Sequence, residues 1–247
     1  MSKKKIDCII QARLGSSRLK EKIFLKVNGV LLIEHLLKRV KKIKHLNKII
    51  ISTTNKPDDD KLIKFLKKKR IYFFRGSEEN VLDRVYKTAK KFKSDNILFI
   101  TSDCPILDPD IANQVIDTYK KNDCDFANNS HIRSYPDGMD IQIFSFNFLK
   151  KSWLNAKTRL EKEHLTLYMR KNQDKFKIIN LVAPRELYWP KLGLTLDEYK
   201  DYILIKKLIE YFQKKKNYFF SCNEAIKIIR KNNWHRINSN VKRKGDN

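Results

Sequence analysis

Four times in the first 122 residues, a short run built on consecutive apolar residues is followed by a longer stretch whose apolar side chains recur at helical spacing. The short runs are residues 6–11, 48–54, 71–74 and 96–101, and the longer stretches are residues 30–43, 57–69, 78–92 and 109–121. Strands that are apolar throughout are covered on both faces, and repeated strand-to-helix units with right-handed crossovers build a largely parallel sheet between two layers of helices. The fold class predicted is therefore α/β, in three layers α/β/α around a mostly parallel central sheet. In such sheets ligands bind at the carboxyl ends of the strands.

Beyond residue 122 the alternation loosens. Strands are predicted over 125–129, 139–144, 175–182 and 191–196, and helices over 146–156, 161–172, 198–212 and 223–231. With no internal repeat and no Gly/Ser/Pro linker, residues 1–237 read as one domain, with the helices of 198–231 packed on it. Residues 238–247 read as a basic tail that frays.

The chain carries 54 basic and 28 acidic residues, a formal charge of +26. Such an excess ordinarily points to a polyanionic partner. Here 41 of the 54 are lysines, many in doublets and triplets on outer helix faces, whereas base and bidentate phosphate contacts favour arginine. A solvated face that also favours anionic small substrates is the better reading, and nucleic acid is not the expected partner. No apolar run reaches the roughly 18 to 20 residues of a membrane span, and the MSKKK start lacks an apolar signal region, so a cytoplasmic protein with no membrane partner is expected. Cys8, Cys104, Cys124 and Cys222 are scattered with no CxxC pair, which excludes a zinc knuckle or disulfide framework as the organising device.

Chemistry concentrates in a few loops. QARLGSSRLKEK (residues 11–22) places glycine, two serines, two arginines and two lysines directly after the first strand, the supply of backbone N–H groups and fixed charge that a triphosphate needs. It lacks the spacings of GxxxxGK[ST] and GxGxxG, which disfavours P-loop ATPases and dinucleotide enzymes. In ITSDCPILDP (residues 100–109), Asp103 stands just past a strand tip, placed to hold Mg²⁺ or simply to make a turn, while Asp108 and Pro109 read as a helix cap and first position. Asp197 in LTLDEYKD repeats the arrangement and also suits a helix N-cap. In RGSEENVLDR, Ser77 reads as the cap of the following helix, which leaves Arg75 without a structural reason at a helix N-terminus. In PDGMDIQIF, Asp137 and Asp140 flank a turn glycine and suit sugar hydroxyls, although Asp137-Gly138 is also an ordinary turn pair. EKEHLT offers Glu163 and His164, a histidine that packing explains equally well.

IIQARLGSSRL, the helix after it, RGSEENVLDR, TSDCPILDP, PDGMDIQIF, EKEHLT and LTLDE occur in this order over residues 6–212. Together they resemble the cytidylyltransferases of the spore-coat polysaccharide type, relatives of the CMP-sialic acid and CMP-Kdo synthetases. The resemblance implies the nucleotide-diphospho-sugar transferase fold and transfer of a cytidylyl group from CTP to an anionic sugar-type acceptor with release of pyrophosphate. It implies that Ala12, Arg13, Gly15, Ser16, Arg18 and Lys22 cradle the triphosphate, that Thr54, Arg75, Gly76 and Ser77 line the cytidine side, and that Asp103 and Asp197 hold Mg²⁺. Arg13, Lys22 and Asp103 are then the catalytic candidates, with Asp140 and His164 on the acceptor side. A homodimer is implied as well. The family's Pro-Gly-Lys is replaced here by Lys20-Glu21-Lys22, which keeps the lysine and alters the turn. The alternatives are the same fold using GTP or UTP, and a non-catalytic basic module that binds nucleic acid.

Overall fold

A computed structural model describes residues 4–243 of the chain. In order, the elements are β1 (Ile6–Gln11), β2 (Lys26–Val27), β3 (Val30–Leu31), α1 (Leu32–Val40), β4 (Leu46–Thr54), α2 (Asp60–Lys68), β5 (Tyr72–Gly76), α3 (Val81–Phe92), β6 (Asn96–Thr101), α4 (Pro109–Asn122), β7 (Phe126–Asn128) and β8 (Gln142–Ser145). They continue with α5 (Phe146–Asn155), α6 (Arg159–Glu163), α7 (Leu167–Lys171), β9 (Ile178–Asn180), α8 (Tyr199–Lys214) and α9 (Cys222–Lys231). Seven strands form one sheet in the order β5-β4-β1-β6-β8-β7-β9. All pairs are parallel except those of β8, which runs against both its neighbours, β6 and β7. The expected three-layer α/β/α architecture with a mostly parallel sheet is the one observed.

Alternation along the strands distributes the core. Cys8 and Ile10 of β1 point into a cluster with Leu36 of α1, Leu62 of α2 and Val115 of α4. Ile9 faces the other way, into a cluster with Val85 of α3 and Phe148 of α5. A third cluster lies off the sheet, where α8 and α9 bury Leu204, Leu208 and Ile226 against Leu192, Leu194 and Leu196. Local chemistry sets the helix ends. Asp108 accepts the N–H of Asp110 ahead of Pro109, and α4 stops at Asp123, which takes a left-handed backbone (φ 43°).

Several boundaries differ from expectation. The helix expected from residue 30 starts at Leu32, because Asn28 (φ 48°) and Gly29 (φ 78°) turn β2 into the short hairpin partner of β3. The helix expected from residue 78 starts at Val81, and its cap is Asn80, whose side chain accepts the Asp83 N–H; Ser77 is not the cap. The run 161–172 is broken at His164 into α6 and α7, a break that lets Leu165 and Met169 reach the core while Leu160 stays 57% exposed. Residues 191–196 form no sheet strand: their alternation reflects Leu192, Leu194 and Leu196 entering the third cluster. Each such burial stabilises by about 1.5–3 kcal/mol, more than the roughly 0.5–1.5 kcal/mol net of a ladder hydrogen bond. The tail expected to fray from Asn238 is held in its described part, with Asn238 and Val241 buried; residues 244–247 lie outside the described residues.

Candidate active site

The register aligns strand ends on one rim, since Gln11 of β1 is level with both Ser52 of β4 and Thr101 of β6. The loop after β1 is anchored from below. Leu14 is buried and donates its N–H to Asp59 Oδ1 at 2.7 Å, and its carbonyl accepts from Ser16 N and Glu21 N. The turn closes on Glu21, whose φ of 51° is left-handed, and delivers Lys22 back over the rim. Here the Lys20-Glu21-Lys22 sequence does the work of a glycine-bearing turn.

Asp103 follows β6. Its carbonyl accepts the Leu196 N–H at 2.8 Å, which draws residues 194–197 alongside the strand end and brings Asp197 to the same place. Gly138 makes a second close approach possible. It sits at φ 107°, and a Cβ there would lie 2.6 Å from the Leu194 backbone, so the Asp137-Gly138 pair is more than a surface turn. Asp137 exchanges backbone hydrogen bonds with this segment, its N–H to Leu192 O at 2.9 Å and its carbonyl from Leu194 N at 2.6 Å.

The result is a junction of charge. Lys22 Nζ lies 3.0 Å from Asp103 Oδ2 and 3.1 Å from Asp197 Oδ1, and Arg18 Nη2 lies 2.8 Å from the same Asp197 oxygen. Burial disfavours the Lys22 ammonium, but the two carboxylates outweigh it and raise its pKa. Burial likewise opposes ionisation of Asp103, and the Lys22 charge with hydrogen bonds from Thr101 and Lys22 overcomes it, holding this carboxyl below its ordinary range. The two acids expected to share a cation therefore converge on one point, and that point carries a lysine. Among the described residues no group of three or more His, Cys, Asp or Glu side chains is assembled to hold a metal unaided.

Two cavities with shared lining residues open over this rim. The smaller, about 200 Å³, is bordered by Arg13, Ser16, Arg18, Lys22, Asp103 and Asp197. The larger, about 560 Å³, is bordered by Glu78, Arg159, Glu163, His164, Thr166 and Arg170, and shares Gln11, Arg13 and Thr101 with the first. Arg13 stands between them, 3.0 Å from Glu78 Oε1. Arg170, half-buried, has its pKa lowered by burial and by the Arg133 charge, so an anion there would relieve both.

The expected residues fall into three groups. Arg13, Ser16, Arg18, Lys22, Asp103 and Asp197 converge on the smaller cavity, and His164 borders the larger one. Ala12 is buried and offers only backbone, and Gly15 lies beside Glu78, where a Cβ would meet its Oε1 at 3.7 Å. Thr54, Arg75, Gly76 and Ser77 border neither cavity. Arg75 is used structurally: Nε donates to Thr54 O, Nη2 to Lys56 O and Nη1 to Asp60. Thr54 donates its hydroxyl to Asp59, and Ser77 Oγ accepts from Asn80 N. Asp140 also stays behind the rim, and burial, reinforced by the Asp137 charge, pushes its carboxyl up to about 7.

Sequence reasoning missed Glu78, Arg159 and Arg170 on the larger cavity, and three residues beneath the rim. Asp59, 1% exposed, accepts from Leu14 N, Thr53 Oγ1, Thr54 N and Thr54 Oγ1, although its sequence context showed only acids opening a helix. Arg84 is fully buried and its Nη1 donates to the carbonyls of Ser77 and Glu78, carrying the loop before α3 from below; Gly76 leaves room for it, since a Cβ there would lie 2.9 Å from Arg84 Cγ. Asp201, also fully buried, accepts the N–H groups of Asp197 and Glu198.

Comparison with known proteins supplies the family. Residues 8–237 match the family model for cytidylyltransferases. The chain is 36% identical over 241 residues to an uncharacterized protein of Methanocaldococcus jannaschii, covering 97% of each. It is 31% identical over 229 residues to the spore coat polysaccharide biosynthesis protein SpsF of Bacillus subtilis, covering 91% of this chain and 93% of that one. Among solved structures, a cytidylyltransferase from Leptospira borgpetersenii superposes with a TM-score of 0.88 at 32% identity, over 98% of this chain and all of that one. A family match over most of the length, on a fold whose strand ends gather arginines, a lysine and two aspartates at one rim, places the chain in the cytidylyltransferase family.

Proposed function

We propose that the protein transfers the cytidylyl group of CTP to a hydroxyl of an anionic, sugar-type acceptor, releasing pyrophosphate, in the synthesis of a surface polysaccharide or glycan precursor. The observation that carries this reading is the shared rim. A small cationic cavity beside two converged carboxylates shares Arg13, Gln11 and Thr101 with a larger cavity that has arginines of its own.

In this reading the triphosphate lies in the smaller cavity. Arg13, Arg18 and Ser16 meet the β and γ phosphates, where negative charge grows as pyrophosphate departs, and charge-assisted contacts of this kind are worth about 1.5–3 kcal/mol each. The acceptor lies in the larger cavity, its anionic group on Arg159 and Arg170, its reacting hydroxyl directed past Thr101 toward the α-phosphorus. The acceptor oxygen forms its bond to phosphorus as the bond to the bridging oxygen breaks, and the hydroxyl proton is lost toward solvent or a nearby base such as His164. The enzyme's contribution is chiefly to hold two anions in line.

Asp103 and Asp197 fit a hard cation. They place two carboxylate oxygens within about 3 Å of one point, and Mg²⁺ takes oxygen ligands while drawing the remainder from phosphate and water. When bound it would supply Lewis-acid polarisation of the α-phosphoryl group. The Lys22 ammonium would then be released from the acids toward the phosphates.

The test is a pyrophosphate-release assay with each of the four nucleoside triphosphates and Mg²⁺, across a panel of acidic sugars. Turnover with CTP and one acid-bearing acceptor is expected. Preference for GTP or UTP would overturn the base assignment, and no turnover with salt-sensitive binding to random oligonucleotides would overturn the enzyme reading.

A further inference from the structure

The loop that carries Asp197 is held in place from a distance. Asp201, with no exposed surface, uses Oδ2 to accept the N–H groups of Asp197 (3.0 Å) and Glu198 (2.9 Å). Its Oδ1 accepts from Asn238 Nδ2 (2.7 Å) and from Arg243 Nη2 (2.9 Å). A carboxylate taken wholly out of water costs several kcal/mol unless its oxygens are met, and here a guanidinium meets one of them.

The seat for that guanidinium is built into the fold by independent features. A Cβ at Gly193 would fall on the Arg243 guanidinium itself, so the missing side chain is what admits it. Gly193 carries no positive φ, so space and not backbone conformation is what this position supplies. Asn238 ties the same glycine's carbonyl to Asp201, donating to Gly193 O at 2.9 Å. Asp137 borders the seat, its Oδ2 3.7 Å from Arg243 Nη1. The neighbouring Lys242 carbonyl accepts from Arg18 Nη1 at 3.1 Å, so the same short segment touches both the acid loop and the phosphate loop.

We propose that Arg243 is a positioning residue: its guanidinium, seated over Gly193 between Asp137 and Asp201, fixes the Asp197 loop so that Asp197 meets Lys22 and Asp103 at the rim. The segment 238–243 is then part of the active site's frame. Its link to turnover rests on the cytidylyltransferase reading above; its structural content does not.

The test uses the full chain with Arg243→Ala, Arg243→Lys and Gly193→Ala. Loss of a partner one step removed from the reacting groups typically costs about 10- to 100-fold, and Arg243→Ala is expected to lower kcat for CTP-dependent pyrophosphate release by that factor. Gly193→Ala should reproduce the loss by evicting an intact arginine, and Arg243→Lys should recover only part of the activity, because an ammonium lacks the planar fork. Millimolar guanidinium should restore Arg243→Ala and not Gly193→Ala, which a general loss of stability would not show. Without nucleotide, hydrogen exchange at the Asp197 and Glu198 amides should quicken in Arg243→Ala and slow again with guanidinium. Unchanged exchange at those amides, or a defect that guanidinium leaves as it is, overturns the proposal. An inactive wild type with the expected exchange behaviour overturns the cytidylyl reading instead.

Discussion

The two flanks of the crevice are each pinned by a buried aspartate, and the two are solvated differently. Asp59, under the phosphate loop, is met by neutral donors from Leu14, Thr53 and Thr54. Thr53 and Thr54 end β4 and Leu14 lies in the loop just after β1, so the parallel register (Ile10 opposite Ile51) brings them close together. Asp201, under the acid loop, is met by two backbone N–H groups, an amide and a guanidinium reaching from residues 238 and 243. Where the sheet supplies convergent dipoles, a buried carboxylate is held by neutral donors, and the buried Arg84 acts on it through its charge without a direct ion pair among the described residues. Where the chain is irregular, the same task recruits a cation from distant sequence.

That contrast is tested hardest by removing each carboxylate. Asp201→Ala takes from the Arg243 guanidinium, 9% exposed, its 2.9 Å ion-pair partner, leaving Asp137 at 3.7 Å, and leaves two backbone N–H groups without that acceptor. Breaking one partner out of a buried pair costs about 3–5 kcal/mol, and urea denaturation should show a loss of that size. A loss no larger than that of the Asp59 variant below would erase the distinction between the flanks.

Asp103→Ala probes the rim that both flanks serve. Lys22 keeps Asp197 as a partner, so the fold should survive while the junction is lost. Removal of one preorganised electrostatic group at a reacting centre costs about 10²–10³ in kcat, and pyrophosphate release should fall by that order at an unchanged melting temperature. Near-normal turnover would make Asp103 a bystander. Asp59→Asn is milder, since the amide keeps the shape but turns one acceptor into a donor facing Leu14 or Thr54. A buried donor left unmet costs about 1–3 kcal/mol, and the loosened phosphate loop should raise KM for CTP more than it lowers kcat. The opposite split would place Asp59 with the acid flank.

The same division explains what the sequence disclosed. On the phosphate flank the strands, their order of appearance and the loop of Arg13, Arg18 and Lys22 are written locally, in apolar runs and a Gly/Ser-rich turn. On the acid flank, residues 191–196 alternate like a strand, yet the alternation serves a packing cluster off the sheet, which periodicity cannot distinguish. The structural partners of Arg75 were hidden for a related reason. A cation near a helix N-terminus invites a ligand, but its partners are the carbonyls of Thr54 and Lys56 and the Asp60 carboxylate on neighbouring elements, which no local pattern displays. Asp59 and Asp201 were hidden because acids at a helix start already have a sufficient explanation in the helix dipole.

The smallest expected effect concerns Asp140, on the acid flank behind Asp137. Its carboxyl titrates near 7 in the folded protein, through burial first and the Asp137 charge second, against an ordinary value of 3.8. The native state therefore keeps a proton that the unfolded chain releases. The stabilisation this gives is full below the unfolded pKa and disappears as pH rises through the folded one. Asp140→Asn removes the titration and keeps the shape, so the variant should gain on the wild type between about pH 5 and about pH 8 by at least ~1.4 kcal/mol, the worth of one pKa unit. Melting curves of both proteins at the two pH values read the difference directly. Parallel loss in the two proteins would mean that Asp140 is ionised throughout, and that the acid flank tolerates a buried charge without the cation that Asp201 has in Arg243.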